Sequence, residues 1–387
     1  MPDHSAQPAV LFTAFEPSGD DHAAAIIKVL KELCPNLTIY GWGGRKMEAA
    51  GAQIIAFTGD DAVMGMPGLA KIKEHKRINA SIEEWLVDHP IRVHIPVDSP
   101  AANFPVCKLT KAVGAKVVHM VAPQLWAWAP WRIRKLRRLT DHVMCVLPFE
   151  EDWFKSRGVD ATFIGHQLFD EPMDFDALDE QIANWTRGEQ NIALMPGSRP
   201  GEMRKNFPLL LGAYIKLANE HPEMRGLVAA TREEIEPELR KIAVDAQLAW
   251  PDSLDMTHSN TDAVIRWCDL AMVVSGTVTL QIAKQHKPMV IVYKMISRWL
   301  WTLIAQWLIQ TKFITLPNLI AGRVICPELV PHFGGSDPIA DRVVELLEEQ
   351  DVFKKQVQEL QDIGKVFESQ NASENAAKII ARYAGVQ

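Results

Sequence analysis

The sequence lacks the cysteine pattern of a disulfide-stabilised or zinc-binding protein. Its 387 residues include five cysteines, and no two of them stand at metal-ligand spacing. Disulfide frameworks and structural zinc sites need paired or regularly spaced cysteines. The twelve histidines are equally scattered, without an HxxxH or HxxE arrangement. We therefore expect a reducing environment, no metal site and no cofactor.

The sequence also has no apolar run long enough to cross a bilayer. The nearest candidate, WLWTLIAQWLIQT at 299–311, is bounded by Arg298 and Lys312, whereas a spanning helix needs about 20 apolar residues. The opening MPDHSAQPAV has no basic region followed by an apolar run, so we expect no signal peptide. These features predict a cytoplasmic protein in which 299–311 is a helix, either buried or lying at a membrane surface.

Excess positive charge is absent as well. The 41 basic and 48 acidic residues give a formal net charge of −7, which argues against general nucleic-acid binding. The hydrophobic content of 48% and the charged content of 23% are typical of a packed globular protein. A chain of this length is normally divided into two domains.

What the sequence does contain is a repeated alternation of short apolar runs and helical patterns. The first run, AVLFTAF at 9–15, is followed by the turn-like PSGD at 17–20 and by a helical pattern that begins near Asp21. This order of strand, turn and helix is typical of a parallel α/β sheet. Further runs predicted as strands are LTIYGWGG (37–44), VHIPVDSP (93–100), AKVVHMVAP (115–123), ATFIGHQ (161–167), NIALMPGSRPGE (191–202), RGLVAA (225–230), LAMVVSGT (270–277) and MVIVYK (289–294).

An acidic stretch, LFDEPMDFDALDEQ at 168–181, separates two series of these runs and is predicted to be an irregular linker between domains. The tail from Pro338 to Ala384 has the pattern of amphipathic helix. Two successive doubly wound halves predict a ligand site in the crevice between them, where strand ends meet helix N-termini.

Two turns in the second half have the composition of a phosphate site. Gly197, Ser198 and Arg199 follow a strand and precede a helix, whose N-terminus favours an anion, and an arginine can bind a diphosphate with two hydrogen bonds. The turn at 275–277, SGT, is of the same kind. Each turn alone is equally typical of an ordinary strand-to-helix connection or a helix cap. Together they favour a nucleotide diphosphate, although neither matches a Walker loop or GxGxxG.

Asp98 ends the apolar strand VHIPVD and is the best-placed candidate for a general base. An isolated aspartate in this position is also typical of a turn, because Asx turns are frequent. The loop from Glu16 to Asp20 is open to the same two interpretations.

The segment from Trp131 to Arg138, WRIRKLRR, is strongly basic. A solvated helix face explains it equally well as a surface for anionic lipid or a phosphorylated ligand. The second interpretation is favoured by the nearby Trp126 and Trp128.

Ten short motifs, taken in order, resemble one known family. They are PSGD (17–20), MG (64–65), Asp98-x-Pro100, PQLWAW (123–128), LPFE (147–150), FIGH (163–166), PGSR (196–199) with Glu202, SGT (275–277), PMVIVYK (288–294) and LPNLIAGR (316–323). Their order and spacing are similar to those of lipid-A-disaccharide synthases, the family-19 inverting glycosyltransferases. The matches run from about residue 10 to residue 325.

The resemblance implies an α/β fold of the GT-B type, with two Rossmann-like, doubly wound domains that face an interdomain cleft. Residues 1–172 would bind the acceptor and residues 173–365 the UDP-sugar, and a helix in 366–387 would pack on the first domain or on a partner subunit. The implied donor is UDP-2,3-diacylglucosamine and the implied acceptor 2,3-diacylglucosamine 1-phosphate, joined through a β-1,6 linkage with release of UDP and without metal. The protein would act peripherally on the cytoplasmic face of the inner membrane, on an anionic lipid surface, and a homodimer is left open.

The resemblance also implies roles for individual residues. Asp98 would accept the proton of the acceptor 6-hydroxyl. The nucleotide and its phosphates would be bound by Gly197, Ser198, Arg199, Glu202, Ser275, Gly276, Thr277 and Gln281. The sugars would be bound by Ser18, Gly19, Asp20, Asn103, Trp126, Asn318 and Arg323.

The chain departs clearly from the family pattern at two places, whereas at a third, Glu16-Pro17-Ser18, it stays close to the family's usual Glu-x-Ser. Where the family reads Asp-Ala-Pro-Asp-Phe-Asn, residues 98–103 read DSPAAN, so a carboxylate and an aromatic ring are missing. The family's SGTxxLE ends here in Gln281, and a neutral amide binds a ribose hydroxyl less strongly than a carboxylate does. Two alternatives therefore stay open: a UDP-sugar glycosyltransferase with a different acceptor, and a weakly catalytic paralogue that binds nucleotide or lipid. UDP-sugar epimerases share the fold, but they leave the WAW and LPNLIAGR segments unexplained.

Overall fold

The computed structural model describes residues 8–58, 68–230, 232–258, 260–295, 301 and 311–386. For residues 68–72 it describes the backbone only. The MG motif at 64–65 and nearly all of the apolar segment at 299–311 lie outside these ranges. No helix within them is long and apolar enough to cross a membrane. The chain divides into two compact units: unit 1 comprises Met1–Glu171 and Ser369–Gln387, and unit 2 comprises Pro172–Glu368.

Unit 1 is built on a parallel sheet, with seven strands in its described part, in the order β3-β2-β1-β4-β5-β6-β7. The residues of β1 and β4 are buried without exception, as expected for parallel strands covered by helices on both faces. The strands are β1 (Ala9–Ala14), β2 (Thr38–Gly43), β3 (Gln53–Phe57), β4 (Val93–Val97), β5 (Lys116–Met120), β6 (His142–Cys145) and β7 (Ala161–Phe163).

The helices of unit 1 come from both ends of the chain. They are α1 (Pro17–Leu33), α2 (Arg45–Ala49), α3 (Gly68–Asp88), α4 (Pro100–Ala112), α5 (Ile133–Leu139), α6 (Glu150–Lys155) and the C-terminal helix, α15 (Ala372–Ala384). The C-terminal helix packs against α1 and contacts β4 and β5. Two contacts fix its ends: the Asp170 carboxylate accepts from the Ala372 amide at 2.6 Å, and Arg92 donates to the Ala384 carbonyl at 3.0 Å.

The first helix begins earlier than the sequence pattern predicted. We expected PSGD at 17–20 to be a turn before a helix near Asp21, but Pro17 is already the first residue of α1. Proline suits this position because its fixed φ fits the helix and its missing N–H would have no partner there. The turn is therefore the first turn of the helix.

Unit 2 is also built on a parallel sheet, with six strands in its described part, in the order β10-β9-β8-β11-β12-β13. The strands are β8 (Gln190–Met195), β9 (Met224–Ala229), β10 (Leu254–Thr257), β11 (Leu270–Val274), β12 (Met289–Lys294) and β13 (Glu328–His332). The helices are α7 (Phe175–Ile182), α8 (Pro200–Glu220), α9 (Glu236–Asp245), α10 (Thr261–Trp267), α11 (Val278–Lys284), α12 (Leu316–Ala321), α13 (Asp337–Glu348) and α14 (Gln350–Glu368).

The acidic stretch at 168–181 is not an irregular linker throughout, which corrects the prediction. Residues 175–182 form α7, which packs against α10. The Asp174 carboxylate caps this helix by accepting from the Ala177 amide at 3.0 Å, and Leu178 and Ile182, four residues apart, bury one face. A short 3₁₀ turn at 167–169 precedes it, so only residues 170–174 are irregular.

Each sheet reverses its strand order at one point. In unit 1 the reversal lies between β1 and β4, and in unit 2 it lies between β8 and β11. Ligands of open α/β sheets bind outside the carboxyl ends of the strands at such a switch point. The segments that follow these four strands are therefore where a site is expected.

Candidate active site

Asp98 lies at the switch point of unit 1, directly after β4. The backbone of Asp98 (φ 49°) and of Ser99 (φ 37°) is left-handed at both residues, a conformation that non-glycine residues rarely adopt. The Asp98 amide donates to the Met120 carbonyl at 2.9 Å, which ties the turn to the end of β5. The turn ends β4, and it leaves Asp98 partly buried at the carboxyl end of this strand.

The surroundings of Asp98 raise the pKa of its carboxyl group. Burial is the main cause, and it outweighs the hydrogen bond from the Ser99 backbone, which lowers the pKa. The Glu16 carboxylate raises the pKa further, whereas His22 lowers it. Glu16 follows β1 and accepts a hydrogen bond from the Ser99 hydroxyl at 2.6 Å. A carboxylate with a raised pKa is a stronger general base once it is ionised.

Asn103 was predicted to bind substrate, but the structure buries it completely beneath the Asp98 turn. Its amide nitrogen donates to the carbonyl oxygens of Val97 at 3.0 Å and Asp98 at 2.8 Å. Its amide oxygen accepts from the Thr13 hydroxyl at 2.6 Å. Its hydrogen bonds therefore support the turn that carries the candidate base.

The three predicted residues of the first loop have three different surroundings. Ser18 is exposed. Gly19 packs closely, because a Cβ there would lie 3.3 Å from that of Ala14. Asp20 is buried and accepts from the amides of Gly44 at 2.9 Å and Met47 at 3.1 Å, so it caps α2. Of the three, only Ser18 is exposed to solvent.

Trp126 is buried and joins two of the motifs. Its indole N–H donates to Glu150 at 2.8 Å, and Phe149 packs edge-on against its ring at 4.9 Å. The Glu150 carboxylate also accepts from the amides of Val146 and Leu147 at 3.1 and 3.0 Å. Burial raises the pKa of Glu150 to about 7, against the effect of these donors. PQLWAW and LPFE thus form one buried cluster, in which Trp126 contacts Glu150 and Phe149, and the sugar contact of Trp126 stays a prediction.

In unit 2 the first predicted phosphate turn follows β8 at the switch point. Gly197 has φ 90°, a backbone conformation that favours glycine, and a Cβ at this position would lie in van der Waals contact with the Glu202 carboxylate at 3.4 Å. Arg199 is the N-cap residue of α8, and its guanidinium pairs with Glu202 at 3.0 Å while its side chain stays 71% exposed. Ser198 is also exposed. The turn places a cation at an open helix N-terminus.

The second turn follows β11, the neighbouring strand. Met195 of β8 is in register with Val273 of β11, and a Cβ on Gly197 would lie 3.8 Å from Val274, so the two turns adjoin. The Ser275 amide donates to the Val292 carbonyl at 3.1 Å. The N-cap residue of α11 is Thr277, but its side chain forms no capping bond. Gly276 and Thr277 are exposed, and Gln281, half-buried, is on the same helix.

Asn318 and Arg323 are engaged within unit 2. Asn318 is fully buried: its oxygen accepts from the amides of Ile325 at 2.8 Å and Cys326 at 2.9 Å, and its nitrogen donates to Glu328 at 2.8 Å. It therefore joins α12 to β13 and has a structural role where a substrate contact was expected. Arg323 is exposed and pairs with Glu359 of α14. Helix α12 contacts α11, which brings this segment close to the second turn.

No group of three or more His, Cys, Asp or Glu side chains in the described ranges is arranged to hold a metal ion. The candidate residues described in each unit are charged groups, hydroxyls and backbone dipoles at the switch point of its own sheet.

The sequence profile of the lipid-A-disaccharide synthetase family matches residues 10–382. The chain belongs to this family. A lipid-A-disaccharide synthase of Anaeromyxobacter sp. (strain K) is 32% identical over 358 residues, which is 92% of each chain. Another, from Burkholderia pseudomallei (strain K96243), is 32% identical over 378 residues, which is 96% of each. The resemblance in the ordered motifs is confirmed, and the chain is a glycosyltransferase of lipid A biosynthesis.

Solved structures agree with the family on the fold. The glycotransferase of kitacinnamycin superposes with a TM-score of 0.65 and is 13% identical in sequence. The match covers 98% of this chain and 100% of the glycotransferase. The UDP-GlcNAc 2-epimerase of Neisseria meningitidis, solved with UDP-GlcNAc bound, superposes with a TM-score of 0.59 and is 12% identical. The match covers 99% of this chain and 100% of the epimerase. The GT-B fold predicted for this member of the lipid-A-disaccharide synthase family is confirmed.

The motifs of the lipid-A-disaccharide synthase family did not reveal several polar residues around Asp98. Thr13, His94 and Thr110 are completely buried, and His22 on α1 bonds to Gln167 and lowers the pKa of Asp98. The signal for His94 was a polar residue within the apolar strand VHIPVD. Its partners lie too far away along the chain to be identified from spacing.

Proposed function

We propose that this member of the family transfers 2,3-diacylglucosamine from its UDP derivative to the 6-hydroxyl of 2,3-diacylglucosamine 1-phosphate, with inversion at the anomeric carbon. The observation that carries the proposal is the position of the predicted residues: the two phosphate turns adjoin at the switch point of unit 2, and Asp98 lies at that of unit 1. On this proposal unit 2 binds the donor and unit 1 binds the acceptor.

The chemistry of the donor fits unit 2. When the bond between the anomeric carbon and the β-phosphate oxygen breaks, the electron pair leaves with UDP and its negative charge increases. Arg199, the N-terminus of the long helix α8 and the exposed Ser198 and Thr277 offset this charge in our proposal. Gln281, on the helix that follows the second turn, binds the ribose.

The chemistry of the acceptor fits Asp98. The oxygen of the acceptor hydroxyl forms the new bond to the anomeric carbon, on the side opposite the departing phosphate, and its proton moves to the Asp98 carboxylate. This direct displacement inverts the configuration from α to β. The raised pKa of Asp98 supports the assignment, because a stronger base accepts the proton more readily.

The experiment is incubation of the purified protein with both acylated sugars, with the product identified by mass and the linkage by NMR. A disaccharide 1-phosphate with a β-1,6 linkage supports the proposal. Transfer only to another sugar acceptor would favour the alternative with a different acceptor, to which Ala101 and Ala102 point. UDP binding without turnover would favour the weakly catalytic paralogue, to which Gln281 points.

We also propose that the protein acts peripherally on anionic lipid at the cytoplasmic face of the inner membrane. The surface of unit 1 offers two tryptophans, Trp128 and Trp131, which are 57% and 59% exposed. Helix α5 and the residue before it add exposed cations while Leu136 and Leu139 face the core. The cations are Arg132, Arg134, Lys135, Arg137 and Arg138. Exposed tryptophan beside clustered cations is the composition of an interfacial surface.

Liposome flotation tests this surface. A Trp128→Ser, Trp131→Ser double variant should float less than the wild type on vesicles with anionic lipid, and Val244→Ser, at a 73% exposed apolar position of unit 2, is the matched control. Binding of the wild type should weaken with salt but persist, because apolar insertion is not screened. Equal flotation of the double variant would place the lipid contact elsewhere, for which the apolar segment at 299–311 is the next candidate.

A further inference from the structure

A chain of buried polar groups runs from helix α4 to the Asp98 turn. Thr13, His94, Asn103 and Thr110 are all completely buried. The Thr110 hydroxyl lies 3.0 Å from Nδ1 of His94, and Nε2 of His94 lies 2.8 Å from the Thr13 hydroxyl. The Thr13 hydroxyl lies 2.6 Å from the Asn103 oxygen. Asn103 ends the chain on the Val97 and Asp98 carbonyls.

Only one direction of hydrogen bonding satisfies this chain. Asn103 uses its amide nitrogen on two carbonyl oxygens, so its oxygen must accept the hydrogen of the Thr13 hydroxyl. The Thr13 oxygen must then accept from His94, which places the ring hydrogen on Nε2. Nδ1 of His94 is then left to accept from the Thr110 hydroxyl at 3.0 Å, a shorter distance than those from this hydroxyl to the Val106 and Cys107 carbonyls, 3.2 and 3.3 Å. Complete burial lowers the pKa of His94 to about 3, and the neighbouring His119 adds to the effect, so the ring is neutral at physiological pH.

The end of the chain is where the backbone needs support. Asp98 and Ser99 are two successive left-handed residues without glycine, and such a conformation persists only where its surroundings fix it. The side-chain nitrogen of Asn103 donates to the carbonyl oxygens of Val97 and Asp98, which lie on the two sides of the Asp98 Cα. The backbone N–H of Asn103 donates to the Ser99 carbonyl at 3.0 Å. The orientation of Asn103 is in turn fixed by Thr13, and that of Thr13 by His94.

We propose that His94 is a positioning residue for Asp98, which acts through Thr13 and Asn103 to hold the turn in the conformation from which the carboxylate accepts the proton. The inference rests on the proposed function of Asp98 as base. It gives a reason for a neutral, completely buried histidine inside an apolar strand.

Thr13→Val tests the middle of the chain, because valine keeps the shape and removes the hydroxyl. The Asp98 turn should relax and its carboxyl group should become more exposed, so its pKa should fall, since burial is the main cause that raises it. Of the other charged groups that affect Asp98, Glu16 and His22 are unchanged in the variant. We expect kcat to fall ten- to a hundredfold, as small misplacements of catalytic groups do, the acid limb of kcat/KM to move to lower pH, and the Kd for UDP to stay within twofold.

Matched variants separate positioning from general damage. Thr13→Ser keeps the hydroxyl and should restore both kcat and the acid limb. His94→Leu should shift the same limb less, because Thr13 still reaches Asn103, and adding it to Thr13→Val should have no further effect beyond twofold, since both act on one chain. A folded Thr13→Val protein with wild-type kcat and acid limb would overturn the proposal. So would equal losses in Thr13→Val and Thr13→Ser with the limb unmoved.

A measurement without turnover separates this inference from the proposed function. The pKa of the Asp98 carboxyl group is read by ¹³C NMR on aspartate-labelled protein, with Asp98→Asn to assign the signal. A lower pKa in Thr13→Val supports the positioning chain even if no disaccharide is formed, and an unchanged pKa overturns it even if the transferase is active. If Thr13→Val does not fold, His94→Leu is measured in its place, with the same two outcomes.

Discussion

Replacing His119 with leucine should stabilise unit 1, and more at pH 5 than at pH 7. His119 is on β5, is completely buried, and neither of its ring nitrogens has a hydrogen-bond partner within the described residues. A buried polar group without a partner costs about 1–3 kcal/mol. Leucine has a similar volume and no polar atom, so the replacement removes this cost at every pH.

The dependence on pH follows from the direction of the shift. Burial lowers the pKa of His119 to about 3, below the ordinary value of 6.5. Between these two values the unfolded chain binds a proton that the folded chain does not, so the histidine lowers stability progressively as the pH falls below 6.5. From pH 7 to pH 5 the loss is about 2 kcal/mol, at 1.36 kcal/mol per pKa unit. The leucine variant does not have this pH-dependent loss of stability, because leucine does not titrate.

Other groups of unit 1 change over the same interval, which is why the comparison is made between variants. Burial lowers the pKa of His94 to about 3 and that of His166 to about 4, so both add to the loss. The raised pKa of Glu150, about 7, acts in the opposite sense, because its folded state gains a proton in this range. The difference between wild type and His119→Leu therefore reports His119 together with its electrostatic effect on His94, while His166 and Glu150 contribute equally to both proteins.

Hydrogen exchange followed by mass spectrometry reads the stability of each unit separately. Peptides from β4 and β5 should show a gain in the free energy of opening for His119→Leu that grows by about 2 kcal/mol from pH 7 to pH 5. His258→Leu, at an exposed position in unit 2, is the control and should leave the β4 and β5 peptides of unit 1 unchanged at both pH values. An equal gain at both pH values would mean that the ring titrates normally. Destabilisation at both would mean that its nitrogens are hydrogen-bonded.

Three further predictions concern the transfer reaction. Asp98→Asn should abolish transfer and leave UDP binding intact, measured by product formation and calorimetry; a fully active variant would remove Asp98 from the mechanism. Gln281→Glu should strengthen UDP binding by roughly 1 kcal/mol, because a hydrogen bond to the ribose becomes charge-assisted, and unchanged affinity would show that residue 281 does not meet the ribose. Transfer should survive EDTA, and its loss with recovery on adding Mg²⁺ would contradict a metal-free mechanism.

Local sequence pattern predicted nine of the thirteen strands that the structure describes, and it missed β3, β6, β10 and β13. Strand ends are marked by glycine, proline or aspartate, so the positions of Asp98, Gly197 and Ser275 at carboxyl ends of strands could be read directly. The direction in which a polar side chain points could not be predicted from the sequence. Asn103 and Asn318 look like ligand residues in a motif, yet each is buried and hydrogen-bonded to backbone and side-chain groups of its own unit.

Partners distant in sequence explain the remaining differences. Thr13 and Asn103 are 90 residues apart and meet only because β1 and β4 are neighbours in the sheet. Asp20 looks like a residue of a binding loop, but it caps a helix that begins at residue 45. Such pairs follow from the topology, which short motifs do not encode.

The return of the C-terminal helix to unit 1 sets the order in which the protein can be completed on the ribosome. Unit 2 is one continuous stretch, whereas unit 1 begins the chain and needs its last residues. Helix α15 buries Ala376, Ile380 and Ala384 completely, and it packs against α1. During synthesis the N-terminal part of unit 1 therefore lacks helix α15, and the face of α1 that this helix covers stays exposed until the whole of unit 2 has been made. A stop codon shortly before residue 369 would leave the whole of unit 2 but a unit 1 that lacks the helix packed against α1, and we expect this product to be degraded.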